Sequence, residues 1–127
     1  MMRRIKYAIQ GLVLGIKTDR SIRLHFIVAL IVFIGALLLQ IPSLQWAILI
    51  LTIFFVIVME YVNSAIESFA DRVHPEQHFA IKKTKDLAAA GVFLSAICAL
   101  LVGLLIFLPP LIKMTAECCL STVTDEQ

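Results

Sequence analysis

Two long stretches of this chain carry no acidic or basic side chain. No Asp, Glu, Lys or Arg occurs in the 36 residues between Arg23 and Glu60, nor in the 26 between Asp86 and Lys113. A helix crosses the roughly 30 Å hydrocarbon core of a bilayer in about 20 residues, so the second stretch holds one span and the first holds two. Gln40-Ile41-Pro42-Ser43 divides the first stretch, because proline stops a helix and the polar residues around it suit a turn at headgroup level. The expected spans are about 21–40, 44–70 and 86–108. Ahead of them Ile5, Ile9, Leu12 and Ile16 recur at helical spacing among basic residues. That pattern predicts an amphipathic surface helix over residues 3–18, or equally a helix that packs on the bundle with the same stripe. Residues 113–127 are expected to form a polar tail, frayed from Ser121 onward. The expected fold is therefore all-α and integral to the membrane, a single domain over 1–112 with three transmembrane helices.

Composition sharpens this picture. With 61% hydrophobic residues, 16% charged residues and a mean hydropathy of +0.97, the chain lies far from a soluble domain, where about a quarter of residues are charged. Three spans in 127 residues are too thin to shield a site from solvent, so a cyclic oligomer is expected. Ten of the 11 Lys and Arg lie before or at the start of span one or between spans two and three, and only Lys113 lies beyond span three. The positive-inside rule then places the N-terminus and the 72–85 loop in the cytoplasm and the C-terminus outside. The net charge of +2 is small, and its one-sided basic part suits anionic headgroups better than nucleic acid. The N-terminal residues lack the uninterrupted apolar core and small-residue cleavage site of a secretory signal. Cys98, Cys118 and Cys119 show no metal-ligand spacing.

Where span two runs out, Glu60, Asn63, Glu67 and Asp71 follow one another at intervals of three, four and four, on a single helical stripe. Ionisable groups at such depth are costly and mark function by default. Lys85-Asp86 opens span three ahead of the small residues Ala88 to Gly91, and Asp19 precedes span one at a similar level. Mg²⁺ prefers one or two protein carboxylates and completes its shell with water and substrate phosphates, and Glu67 with Asp19 is the natural pair. Glu60, nearer the membrane, is placed to take a proton from a substrate hydroxyl while a lysine offsets phosphate charge. An amphiphile presents its hydroxyl at that level. The chain has no Walker-type loop, Gly-rich kinase loop or H-R-D element, so neither common kinase architecture is available. Asp19 also fits the N-cap of span one. A small proton-coupled transporter, with its carboxylate near the bilayer midplane, and a non-catalytic membrane adaptor are the competing classes.

The stretch from Glu60 to Asp71 resembles the signature E-x-x-N-[ST]-A-I-E-x-x-x-D, followed by K-D and small residues at Lys85-Asp86 to Gly91, of the small prokaryotic membrane kinases that comprise diacylglycerol kinase and undecaprenol kinase. The resemblance covers about residues 3–110 and implies a homotrimeric bundle with sites shared between protomers, in a bacterial inner membrane. It implies Glu60 as the catalytic carboxylate, Glu67 and Asp19 as ligands of the Mg²⁺ that accompanies ATP, and Asn63, Lys85 and Asp86 as nucleotide and phosphate contacts. Tyr7, Glu76 and His78 match further nucleotide contacts. Asp19 stands where many members carry glutamate, one methylene longer. Thr18-Asp19-Arg20-Ser21-Ile22-Arg23-Leu24-His25, Val73-His74-Pro75 and the Leu104 to Pro109 ending resemble undecaprenol kinases of Gram-positive bacteria. The implied reaction is therefore in-line transfer from MgATP to undecaprenol, with diacylglycerol as the alternative acceptor.

Overall fold

The computed structural model describes residues 1–73 and 78–124, with side chains through Ser121. Its elements are four helices: α1 (Met2–Thr18), α2 (Arg20–Leu38), α3 (Ser43–Val73) and α4 (Phe79–Thr124). Three of them, α2, α3 and α4, are long and apolar enough to cross a membrane. The described chain is an all-helical, multi-pass membrane protein.

Asp19 alone separates α1 from α2. Its backbone is extended, its amide still donates to the Gly15 carbonyl at 2.9 Å, and its Oδ1 accepts the Ser21 amide at 2.8 Å. One residue thus ends a helix and caps the next, satisfying an amide that the new helix cannot. Arg23 reaches back to the Ile16 and Lys17 carbonyls at 3.3 and 3.0 Å, closing the other side of the elbow.

The α2–α3 turn falls at Gln40 to Pro42, as the sequence predicts. Gln40 takes φ 49°, and its amide donates to Leu37 while the Ile41 amide reaches Ala36. This is a Schellman cap with glutamine in the left-handed position usually held by glycine. The apolar contact that accompanies such caps is present, because Ile41 and Ala36 are both buried in one cluster with Leu49 and Ile106. Phe33 meets Trp46 edge to face beside it, with ring centroids 4.9 Å apart. α3 packs most extensively along α4 and more lightly on α2.

α3 has 31 residues, roughly 47 Å of helix. About 20 residues counted from Ser43 bring it to Val62, so everything beyond Glu60 stands at or past the edge of the hydrocarbon. α4 departs from expectation. It does not stop at 108 before a polar tail but runs to Thr124, 46 residues in all, with Pro109 and Pro110 inside it. The two prolines cannot donate to the Leu105 and Ile106 carbonyls, yet the helix resumes through Leu111, Ile112, Met114 and Ala116, which favour helix once the prolines are passed.

Most of the molecule's apolar surface is uncovered within one chain. The accessible area is 10269 Å², where a soluble protein of 14.2 kDa exposes about 6,800 Å². Leu30, Leu51, Phe54, Phe93 and Leu105 are among the exposed side chains.

Candidate functional site

The polar end of α3 is assembled from three directions. Glu60, the first residue of the stripe, is the most buried charged group in the described chain, 5% exposed. One turn on, Asn63 Nδ2 donates to Glu67 Oε1 at 3.3 Å, which fixes the amide orientation. Asn63 Oδ1 is then left buried with no hydrogen-bond partner. An acceptor in that state costs free energy unless a donor or a cation arrives, and such orphans are rare in folded proteins.

From α4, the Lys85 ammonium sits 2.8 Å from Asp71 Oδ1, and Glu67 also acts on it electrostatically. The lysine carries three donors, so one ion pair leaves others free to meet a phosphate. From the α1–α2 elbow, Asp19 Oδ2 accepts the Ser64 hydroxyl of α3. Ser64 and Glu67 are three apart on one helix, so Asp19 is bonded to the residue one turn before Glu67. The Ser64 hydrogen bond holds the Asp19 carboxyl below the usual carboxylate range, partly opposed by burial and helped by the Ser21 and Ile22 amides and by Arg23. Asp19 is therefore the cap that sequence allows, with its second carboxylate oxygen bonded to α3.

The remaining candidates are less closely gathered. Tyr7 lies on α1, 66% exposed, and Asp86 is exposed on α4. His78 accepts the Ala80 amide on Nδ1 at 3.3 Å and its carbonyl accepts Lys82, so it caps α4. Glu76 lies outside the described residues. Among the described residues no three His, Cys, Asp or Glu side chains form a closed set for an ion. Mg²⁺ needs no closed set, since it takes one or two protein carboxylates and completes its shell with water and phosphate.

Two residues join the site that charge and spacing did not single out. Tyr61 donates its hydroxyl to the Leu12 carbonyl of α1 at 2.7 Å, across 49 residues. Its ring fills the notch left by Gly15, where an added Cβ would overlap the ring and lie 3.0 Å from Ile22 Cδ1. Ser64 is a small residue of the kind that permits close helix packing. The sole available signal was their shared helical face, three apart and beside the acidic stripe. Between α1 and α3 a groove of ≈ 610 Å³ remains, lined by Gly11, Gly15, Thr18, Asp19, Tyr61, Ser64 and Ser68 among others. An almost wholly apolar groove of ≈ 770 Å³ follows α2 and α3 from Phe33 and Phe54 to Tyr61.

Comparison with known proteins gives a consistent answer. Residues 6–107 match the family described as prokaryotic diacylglycerol kinase. The chain is 36% identical over 110 residues to a diacylglycerol kinase of Synechocystis sp., covering 86% of this chain and 63% of that protein. It is 35% identical over 95 residues to the undecaprenol kinase of Bacillus subtilis, covering 75% and 77%. A diacylglycerol kinase of Haemophilus influenzae is 30% identical over 93 residues, covering 73% and 78%. The match spans less than two thirds of the Synechocystis protein and more than three quarters of the other two.

Proposed function

Because the chain belongs to the prokaryotic diacylglycerol kinase family, we propose that it transfers the γ-phosphoryl group of ATP directly to the hydroxyl of a membrane lipid alcohol. The observation that carries this reading is the buried Glu60 at the edge of the hydrocarbon, one turn below the Asn63–Glu67 pair. A lipid hydroxyl rises to that level while its tail stays in the bilayer, and the apolar groove ending at Tyr61 runs alongside. Glu60 orients the hydroxyl and accepts its proton as the new O–P bond forms and the bond to the leaving ADP oxygen breaks. No covalent enzyme intermediate is needed.

A divalent cation fits the residues present, since Asn63 Oδ1 is a buried hard acceptor without a donor and lies beside Glu67. Glu67, Asp19 and Asn63 would hold it, and when bound it would offset charge between the β- and γ-phosphate oxygens. Lys85 adds positive charge at the same level and exchanges part of its pairing with Asp71 for phosphate. Asp86, Tyr7, His78 and Glu76 are assigned to the nucleotide's periphery. The kinase domain is taken as 1–112.

For the acceptor we favour undecaprenol, on the Thr18 to His25 stretch and the Bacillus subtilis relative. Diacylglycerol is the second reading, favoured by the family description and the Synechocystis relative. A hydrocarbon tail offers a pocket little beyond size for discrimination. The basic residues before α2 and after α3 support a cytoplasmic active site and N-terminus, with α1 lying on that face and the end of α4 outside. The uncovered apolar surface suits burial in membrane lipid and against further copies, and the family resemblance implies a homotrimer in the inner membrane. The test is detergent-solubilised protein incubated with Mg²⁺, γ-labelled ATP and either short-chain polyprenol or diacylglycerol. Label in polyprenol at the higher rate is the expected result, and label in neither lipid would reject the kinase reading.

A further inference from the structure

The α1–α2 elbow is joined to α3 along the chain only through the whole length of α2, yet it carries one of the two carboxylates assigned to the cation. Three contacts from two side chains hold it there. The Tyr61 hydroxyl donates to the Leu12 carbonyl at 2.7 Å, the Tyr61 ring occupies the notch at Gly15, and the Ser64 hydroxyl donates to Asp19 Oδ2. Tyr61 and Ser64 are three apart, so they leave α3 on one face and grip the elbow at two heights. Ile22 is buried beneath this contact, which closes the apolar side of the grip. Asp19 has a short side chain, so its reach depends on how closely the elbow is drawn to α3.

We propose that Tyr61 and Ser64 are positioning residues, which clamp the α1–α2 elbow onto α3 and thereby set the Asp19 carboxylate beside Glu67. Neither touches the reacting atoms. Tyr61 sets where α1 lies, and Ser64 sets which way the carboxylate faces, with Oδ1 already committed to the Ser21 amide. The role is that of an outer-shell hydrogen bond to a metal-binding carboxylate, whose loss typically weakens metal binding about 10- to 100-fold. The proposal rests on the reading of Asp19 and Glu67 as carboxylates that share one cation.

The test uses Mn²⁺ as a paramagnetic probe, titrated into the full-length protein with ADP so that no turnover is involved. Ser64→Ala is expected to weaken Mn²⁺ binding about 10-fold or more, and Ser64→Thr, which keeps the hydroxyl, to restore most of it. Tyr61→Phe keeps the ring but removes the donor, and hydrogen exchange of the α1 amides around Leu12 should quicken about fivefold, the loss of one ordinary hydrogen bond. Melting curves identify any variant that merely fails to fold, and the Ser64→Thr rescue then decides. Asp19→Ala separates the two levels of argument. Weak Mn²⁺ binding in Asp19→Ala beside normal binding in Ser64→Ala would overturn the clamp alone. Normal Mn²⁺ binding in Asp19→Ala would remove the shared-cation reading and the clamp with it. A protein that shows the expected Mn²⁺ and exchange changes but phosphorylates no lipid keeps the clamp and loses the proposed function.

Discussion

At one end of α3, Leu49 packs with Ala36, Ile41 and Ile106 in a cluster that contains no charged side chain; at the other, Glu60, Asn63, Ser64 and Glu67 bring polar groups together within two turns. The first end is held by shape, because lipid tails are as apolar as leucine and no hydrophobic force draws helices together there. The second is held by directional bonds between elements far apart in the chain, Tyr61 to Leu12, Ser64 to Asp19 and Lys85 to Asp71. It also leaves one buried oxygen, Asn63 Oδ1, without a partner, a tension that the apolar end nowhere shows among the described residues. One helix thus carries a stability-bearing half and a half that leaves a buried acceptor open.

The sharpest way to break that contrast is Glu60→Gln. The shape is kept and the carboxylate lost, so turnover should fall about 10²- to 10⁴-fold, the usual worth of a general base. Nucleotide binding and the melting temperature in detergent should hardly move, since a buried amide is easier to accommodate than a buried charge. Kinase activity at the wild-type rate would remove Glu60 from its assigned role. Leu49→Ala is the opposite experiment. It opens a cavity in the apolar cluster and should cost about 2 kcal/mol, at the low end for a water-soluble core, because a leucine buried between helices in a bilayer gains packing but no transfer from water. Thermal melts should show the loss while kcat per folded molecule stays constant. A fall in kcat equal to that of a polar-end variant would mean that the two ends act as one unit.

Gly15→Ala probes the polar end sterically. The new methyl overlaps the Tyr61 ring and crowds Ile22, so α1 must move away from α3, at about 1–2 kcal/mol. Activity should fall more than stability does, measured as kcat/KM against melting temperature, because the same shift withdraws Asp19.

The spans and the α2–α3 turn were legible because hydrocarbon imposes a length and an absence of charge that composition alone displays. The end of α4 was not, because Pro109-Pro110 reads as a stop while the residues after it are helix formers. In the site, spacing placed Glu60, Asn63 and Glu67 on one face, and resemblance supplied their roles. What neither could show was the partnership of Ser64 with Asp19 across 45 residues, or of Tyr61 with Leu12, because each depends on how closely a single extended residue folds α1 back onto α3. A serine hydroxyl and a small side chain are written with the same letter.

Asp19→Asn tests the electrostatic part of the polar end while keeping the cap, since asparagine also serves at that position. The folded carboxyl ionises below its ordinary value, so its charge stabilises the fold above the unfolded pKa, about 3.9, and that contribution disappears as pH falls through the lower, folded value. At neutral pH the variant should be less stable by roughly 1 kcal/mol. The gap between the two melting curves should close on acidification below about pH 4. A gap that persisted unchanged at low pH would mean that geometry, and not charge, carries the contribution.

The smallest expected effect lies at the apolar end. Gln40 holds φ 49°, in a region that costs a side chain about 1 kcal/mol and costs glycine nothing. Gln40→Gly relieves that strain but frees the unfolded chain, so the net gain should be a few tenths of a kcal/mol. The Ile41–Ala36 contact and the Leu37 and Ala36 bonds remain. The melting temperature should therefore rise slightly while kcat, KM for ATP and Mn²⁺ binding stay at wild-type values. Gln40→Asn, which tolerates the same φ better than glutamine, should fall between the two. A change in Mn²⁺ binding from this distant turn would show that strain at the apolar end reaches the elbow through α2, and the two halves of α3 could no longer be treated as separate.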